Sequence, residues 1–175
     1  MSGETDSDLM EQVRRGERAA FVALFDRYRE SAVSFAARMT GDADAAEELA
    51  HDAFMRVASK PKLSDTARGF RVWFMSVLRE IVAEYVAEKD PAPNASIGRV
   101  AAAGAVAQGV EIIEVEAKVA YDAINRLDPR DREILYLKLF ERLSYDDVAE
   151  ICGDKPAAVK HRLSETVEAL RRAVE

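Results

Sequence analysis

Apolar positions recur along this chain at intervals of three and four residues, the period of helices buried along one side. Leu9, Met10 and Val13 begin the series as a short first helix, which Arg14-Arg15-Gly16-Glu17 interrupts. Phe21, Leu24, Phe25 and Tyr28 then fall at i, i+3, i+4 and i+7, and Phe35 and Met39 prolong the same side. Thr40-Gly41-Asp42 marks a stop and a new start. The next helix sets Ala46, Leu49, Ala50, Ala53, Phe54 and Val57 against a polar side of Asp44, Glu47, Glu48, His51, Asp52 and Arg56. Its early acids suit the positive end of the helix dipole. Pro61 ends it, and a polar connection runs to Gly69. Phe70, Trp73, Phe74, Val77, Leu78, Ile81, Val82 and Tyr85 form a broad apolar stripe. That stripe predicts a helix central to the N-terminal core, with Trp73 in it.

The last third is punctuated more sharply. Asp128 caps a helix whose first residue is Pro129, where a missing N–H costs nothing. Ile134, Leu135, Leu137 and Leu139 are its expected apolar side. Ser144 and Asp147 fit a capping box for a short second helix, on which Val148 and Ile151 share a face. Gly153 is placed to end it in the left-handed conformation. A third helix starts near Pro156 and carries Val159, Leu163, Val167 and Leu170 at helical spacing. Two helices joined by a tight Gly-containing turn are the unit that sets its second helix into the DNA major groove.

Between these blocks, residues 91–111 are rich in Ala, Gly and Pro and read as a linker. The expectation is an all-α chain of two small helical domains, 1–90 and 112–175, joined by a flexible linker, the second a helix-turn-helix. One cysteine (Cys152) and two histidines (His51, His161) give no disulfide framework and no metal-ligand cluster. Cys152 is read as a small buried residue at a helix end. No nucleophile–base pair or phosphate-cradling Gly loop is visible, so no catalytic residue and no cofactor are expected. The acidic N-terminus is unlike a signal peptide, and no segment approaches the ~18 apolar residues of a membrane span. The cytoplasm is the expected compartment, with no membrane insertion.

Taken together, these blocks resemble the extracytoplasmic-function group of bacterial sigma-70-type sigma factors. The resemblance rests on 8–28, on Ala45-Ala46-Glu47-Glu48-Leu49-Ala50-His51-Asp52-Ala53-Phe54-Met55-Arg56-Val57, on Phe70-Arg71-Val72-Trp73-Phe74 and on the final helix-turn-helix, in that order. It implies RNA polymerase core, promoter DNA and an anti-sigma factor as partners. It nominates Asp44, Glu47, Glu48, Asp52 and Arg56 as contacts to the β′ clamp, with Leu49, Phe54 and Val57 buried behind them. Lys60, Lys62, Arg68 and Arg71 become candidates for the melted −10 strand, where bases stack and phosphates need cations. Lys155, Lys160, His161 and Arg162 become candidates for reading the −35 element.

Net charge tempers this resemblance. The chain carries −7 overall, and duplex affinity rests largely on phosphate neutralisation. Where the family has a basic run after the aromatic helix start, this chain has Arg79 and Lys89 against Glu80, Glu84, Glu88 and Asp90. In the last helix Glu165 and Glu168 stand where basic residues are usual. The leading expectation is a working sigma factor. A sigma-like decoy or adaptor that has lost promoter binding is the alternative. A stand-alone helix-turn-helix regulator would leave the N-terminal half without a role.

Overall fold

In the computed structural model the described residues are 4–59, 69–89 and 122–174. Lys60, Lys62, Arg68 and the linker 91–111 fall outside them. All regular structure among the described residues is helical. The chain divides into two compact units, Met1–Pro93 and Asn94–Glu175.

In the first unit, α1 (Asp6–Arg14) starts at a capping box. The Thr5 hydroxyl accepts from the Asp8 N–H at 3.2 Å, and the Asp8 carboxylate accepts from the Thr5 N–H at 3.1 Å. The Thr5 hydroxyl also holds the Asp8 carboxyl below its ordinary pKa. Helix α2 (Arg18–Thr40) ends at Gly41, whose φ of 73° lets its N–H return to the Ala37 carbonyl. Asp42 then caps α3 (Ala43–Ser59) by accepting from the Ala45 N–H at 3.0 Å.

Helix α4 (Phe70–Lys89) packs against α1, α2 and α3, so it is buried on more than one side. The expected stripe from Phe70 to Val82 is buried apart from Trp73, which is half-buried. Val72 and Met75, outside that stripe, are buried as well. A hydrophobic pattern reports one contact face, whereas α4 has three neighbours. Phe54 sits 4.8 Å from Phe25 and 4.7 Å from Phe74, ring centre to ring centre, and the Tyr28 ring lies 5.2 Å from Phe70. Burial, with a hydrogen bond donated to Asp6, raises the Tyr28 pKa.

In the second unit, residues 122–125 are helical and precede α5 (Pro129–Leu139), α6 (Tyr145–Cys152) and α7 (Pro156–Val174). Buried Arg132 donates to the Asn125 and Leu127 carbonyls at 3.1 and 2.9 Å, closing the end of that first helical segment. Ile134, Leu137, Val148 and Val159 are fully buried at the centre.

Two expected core positions differ. Leu139 is 55% exposed, and Tyr136 is buried instead. Residues Arg132 to Leu137 are buried all round α5, whereas Leu139 is its last residue, past that buried stretch. Val167 is exposed, and Thr166 takes its place in the core. Steps of four residues drift about 40° each, so the row Val159, Leu163, Val167 rotates out of the interface, and a three-residue step to Thr166 restores it. The Thr166 hydroxyl donates to the Arg162 carbonyl at 2.8 Å, which satisfies the buried oxygen.

Candidate nucleic-acid interface

The turn between α6 and α7 is built from local chemistry. The capping box is present: the Ser144 hydroxyl accepts from the Asp147 N–H at 3.1 Å and the Asp147 carboxylate accepts from the Ser144 N–H at 3.2 Å. Gly153 adopts φ 68°, and the next N–H, of Asp154, returns to the Ala149 carbonyl at 2.8 Å. The Lys155 carbonyl accepts the first α7 bonds, from the Ala158 and Val159 N–H groups.

Arg130, in the first turn of α5, reaches across to this turn. Its guanidinium donates to Asp154 at 2.8 Å, to Glu133 at 2.9 Å and to the Cys152 carbonyl. Burial pulls its pKa down, but Glu133 and Asp154 beside it help raise it on balance. Charge-assisted bonds of this kind are roughly twice as strong as neutral ones. The sequence shows Arg130 and Glu133 as an i, i+3 pair; it does not show Asp154.

Helix α7 buries Val159, Leu163 and Thr166. Opposite them Ala157, Lys160, His161, Ser164 and Glu168 are exposed. Lys155 is exposed just before the helix. His161 Nδ1 lies 3.1 Å from Glu165. Arg162 behaves differently: it donates to Asp131 of α5 at 2.8 Å, beside an open cleft of about 660 Å3 that both residues line. Of the four residues nominated here, Lys155 and Lys160 are exposed at the start of the helix, His161 is exposed beside Glu165 at the rim of the same cleft, and Arg162 is held at the side of the helix by Asp131. Ser164 on the outward face, and Asp131, were not singled out from sequence.

On α3, Asp44, Glu47, Glu48 and Asp52 are exposed, and Leu49, Phe54 and Val57 are buried behind them. Glu47, Glu48, His51 and Asp52 line one shallow acidic depression. Arg56 is half-buried and faces α4, with Glu80 at 3.5 Å and Glu84 at 3.8 Å. Two of the acids that replace the expected basic run thus pair with Arg56. Met55, on the exposed side, is 52% exposed. Arg71, the described member of the −10 group, is half-buried in the first turn of α4, and its charge acts on Tyr28.

Among the described residues no group of three or more His, Cys, Asp or Glu could hold a metal ion. No described helix is long and apolar enough to cross a membrane.

Comparison with known proteins places these features. Residues 24–90 match the family model Sigma-70 region 2, and residues 118–170 match Sigma-70, region 4. The chain is 25% identical over 169 residues to the ECF RNA polymerase sigma factor BldN of Streptomyces coelicolor, covering 94% of this chain and 64% of that relative. It is 25% identical over 174 residues to the ECF RNA polymerase sigma factor SigW of Bacillus subtilis, covering 93% of each. It is 29% identical over 161 residues to the ECF RNA polymerase sigma factor SigL of Mycobacterium tuberculosis, covering 89% of each. Among solved structures, the sigma factor RpoE of Bartonella quintana, in complex with the anti-sigma factor NepR, matches with a TM-score of 0.73 at 22% identity, over 88% of this chain and 96% of that one. CnrH, in complex with the cytosolic domain of CnrY, matches with a TM-score of 0.70 at 19% identity, over 97% and 96%. At these identities the structural likeness speaks for the fold.

Proposed function

The chain belongs to the bacterial sigma-70 family, and we propose that it serves as a sigma factor of the extracytoplasmic-function group, binding core RNA polymerase and directing promoter-specific initiation. The observation that carries this reading is the order of the two family segments, region 2 before region 4, each on its own helical unit. In this reading the division of labour is residues 1–90 for polymerase and the −10 element, 91–111 as linker, and 112–175 for the −35 element.

The clamp surface is the exposed side of α3: Asp44, Glu47, Glu48 and Asp52, with Arg56 at the edge shared with α4. The −35 surface is the start of α7 with Lys155, Lys160 and His161. Arg71, with Lys60, Lys62 and Arg68, serves the −10 strand. The chain itself supplies binding surfaces, and the polymerase does the chemistry. Few cations meet DNA, which suits a protein that binds promoters as part of polymerase rather than alone. An anti-sigma factor is the further partner, by analogy with the Bartonella quintana complex. The compartment is the cytoplasm, where polymerase is.

The test is in vitro transcription from a genomic promoter library with purified core polymerase, with and without the protein. Transcripts that depend on the protein and share −35 and −10 elements are expected. Core binding without such transcripts would instead identify a decoy.

A further inference from the structure

Two neighbouring residues of opposite charge, Arg130 and Asp131, lie in the first turn of α5, and each grips a different part of the helix-turn-helix. Arg130 holds the turn through Asp154 and the Cys152 carbonyl. Asp131 holds α7 itself through Arg162 at 2.8 Å. We infer that Arg162 is a positioning residue rather than a DNA reader: clamped by Asp131, it fixes the recognition helix on α5, so that Lys160, His161 and Ser164 are the side chains offered to the −35 element. This rests on the sigma-factor reading above and goes further by assigning separate roles within one helix.

The geometry favours this division. Ala157, Lys160, His161 and Ser164 follow i, i+3, i+4, i+7 and are all exposed, on the side opposite Val159, Leu163 and Thr166. Arg162 lies off that face and is bonded to Asp131 of α5; His161 reaches the rim of the same cleft but pairs with Glu165 on its own helix. An arginine that reads guanine needs its fork for O6 and N7. Here one nitrogen is already committed to a carboxylate, whose charge offsets the guanidinium at close range. The pair takes up only Nη1, but it draws the guanidinium toward α5 and away from the outward face. Using Arg162 as a strap means keeping that pair, and reading groups must be held to within about half an ångström to work. The neighbouring Arg130 contacts make the same first turn of α5 an anchor for both turn and helix, added to the buried seating of α7 through Val159, Leu163 and Thr166.

A charge swap separates the roles. The full-length protein, core polymerase and a promoter selected by the wild type would be used in reconstituted transcription. Arg162→Asp places two acids face to face and is expected to lower promoter-dependent transcription about tenfold or more. The double variant Asp131→Arg with Arg162→Asp re-forms the pair in reverse and is expected to recover activity to within about threefold, with the −35 preference unchanged. If the wild type transcribes and the folded double variant stays as weak as Arg162→Asp, Arg162 acts on DNA directly and the inference is overturned. Asp131→Asn serves where the swap does not fold, with DNA affinity read from the transcribing holoenzyme. A strap predicts weaker promoter binding with no steeper salt dependence. A masked DNA contact predicts tighter binding, with the salt slope steeper by about one counterion, and that result also overturns the inference. If the wild type directs no transcription at all, the sigma-factor reading has failed and the inference falls with it.

Discussion

The Tyr85 hydroxyl donates a 2.9 Å hydrogen bond to the Asp42 carboxylate, tying the last part of α4 to the cap of α3. Lys89 adds a contact at 3.3 Å to the same oxygen. One carboxylate therefore both starts α3 and anchors α4. The Ala45 N–H, then Tyr85, hold the Asp42 carboxyl below its ordinary pKa. A carboxyl whose pKa is depressed by folding adds stability above its unfolded pKa and loses it as pH falls through the folded value. Asp42→Ala is expected to lower the melting temperature at neutral pH. Asp42→Asn, still able to cap, should lower it less and should flatten the acid-side loss of stability. Equal melting temperatures for both variants and the wild type at neutral pH as well as in acid would show that the cap carries no weight.

Phe54 is the buried counterpart of that helix's acidic face. It is 2% exposed and touches aromatic rings from both α2 and α4. Removing so large a buried ring usually costs about 3–5 kcal/mol. Phe54→Ala is expected to shift the urea midpoint of the N-terminal transition sharply while leaving the C-terminal transition in place, as tryptophan fluorescence of Trp73 against circular dichroism would report. Phe54→Leu should cost much less, because most of the volume is kept.

Much of this architecture was legible because local signals agree with one another. Thr40-Gly41-Asp42, Asp128-Pro129, Ser144 with Asp147, and Gly153 each specify a helix end through chemistry within a few residues. The capping box and the left-handed glycine were accordingly found where their residues pointed. What stayed hidden depends on contacts distant in sequence. Asp131 and Arg162 are separated by 31 positions, and Arg56 meets Glu80 and Glu84 only because α3 lies on α4. Counting charges along α4 gives a net acidic stretch without the cation that part of it faces. Thr166 was hidden for another reason: a strict four-residue row selects Val167 by hydrophobicity, although the helical angle selects its neighbour.

Glu47 and Glu48 test the clamp proposal. Both are exposed, and Glu47 meets Arg29 at 3.6 Å. Exposed pairs of this kind contribute about 0–1 kcal/mol, so Glu47→Lys with Glu48→Lys should leave folding nearly intact. Association with core polymerase should weaken about tenfold or more, because charge reversal at an interface sets like charges together. Fluorescence anisotropy with labelled protein would measure it at two salt concentrations. Unchanged core affinity would return this surface to the status of an ordinary solvated helix side.

Lys160 offers the cleanest test of the proposed −35 surface, since it is exposed, lies next to the buried Val159 and has no carboxylate among its described ion-pair partners. Lys160→Gln removes one cation without altering the core of the helix-turn-helix, so the melting temperature should stay within about a degree or two of wild type. If the ammonium meets a phosphate, promoter affinity of the holoenzyme should fall for all −35 sequences alike, and the slope of log affinity against log salt should flatten by about one counterion. If it reads a base edge, the loss should concentrate at one −35 position, at about 1–3 kcal/mol for a good contact. Binding that changes in neither way would place Lys160 outside the interface and shift the reading to His161 and Ser164, the remaining outward side chains of that turn.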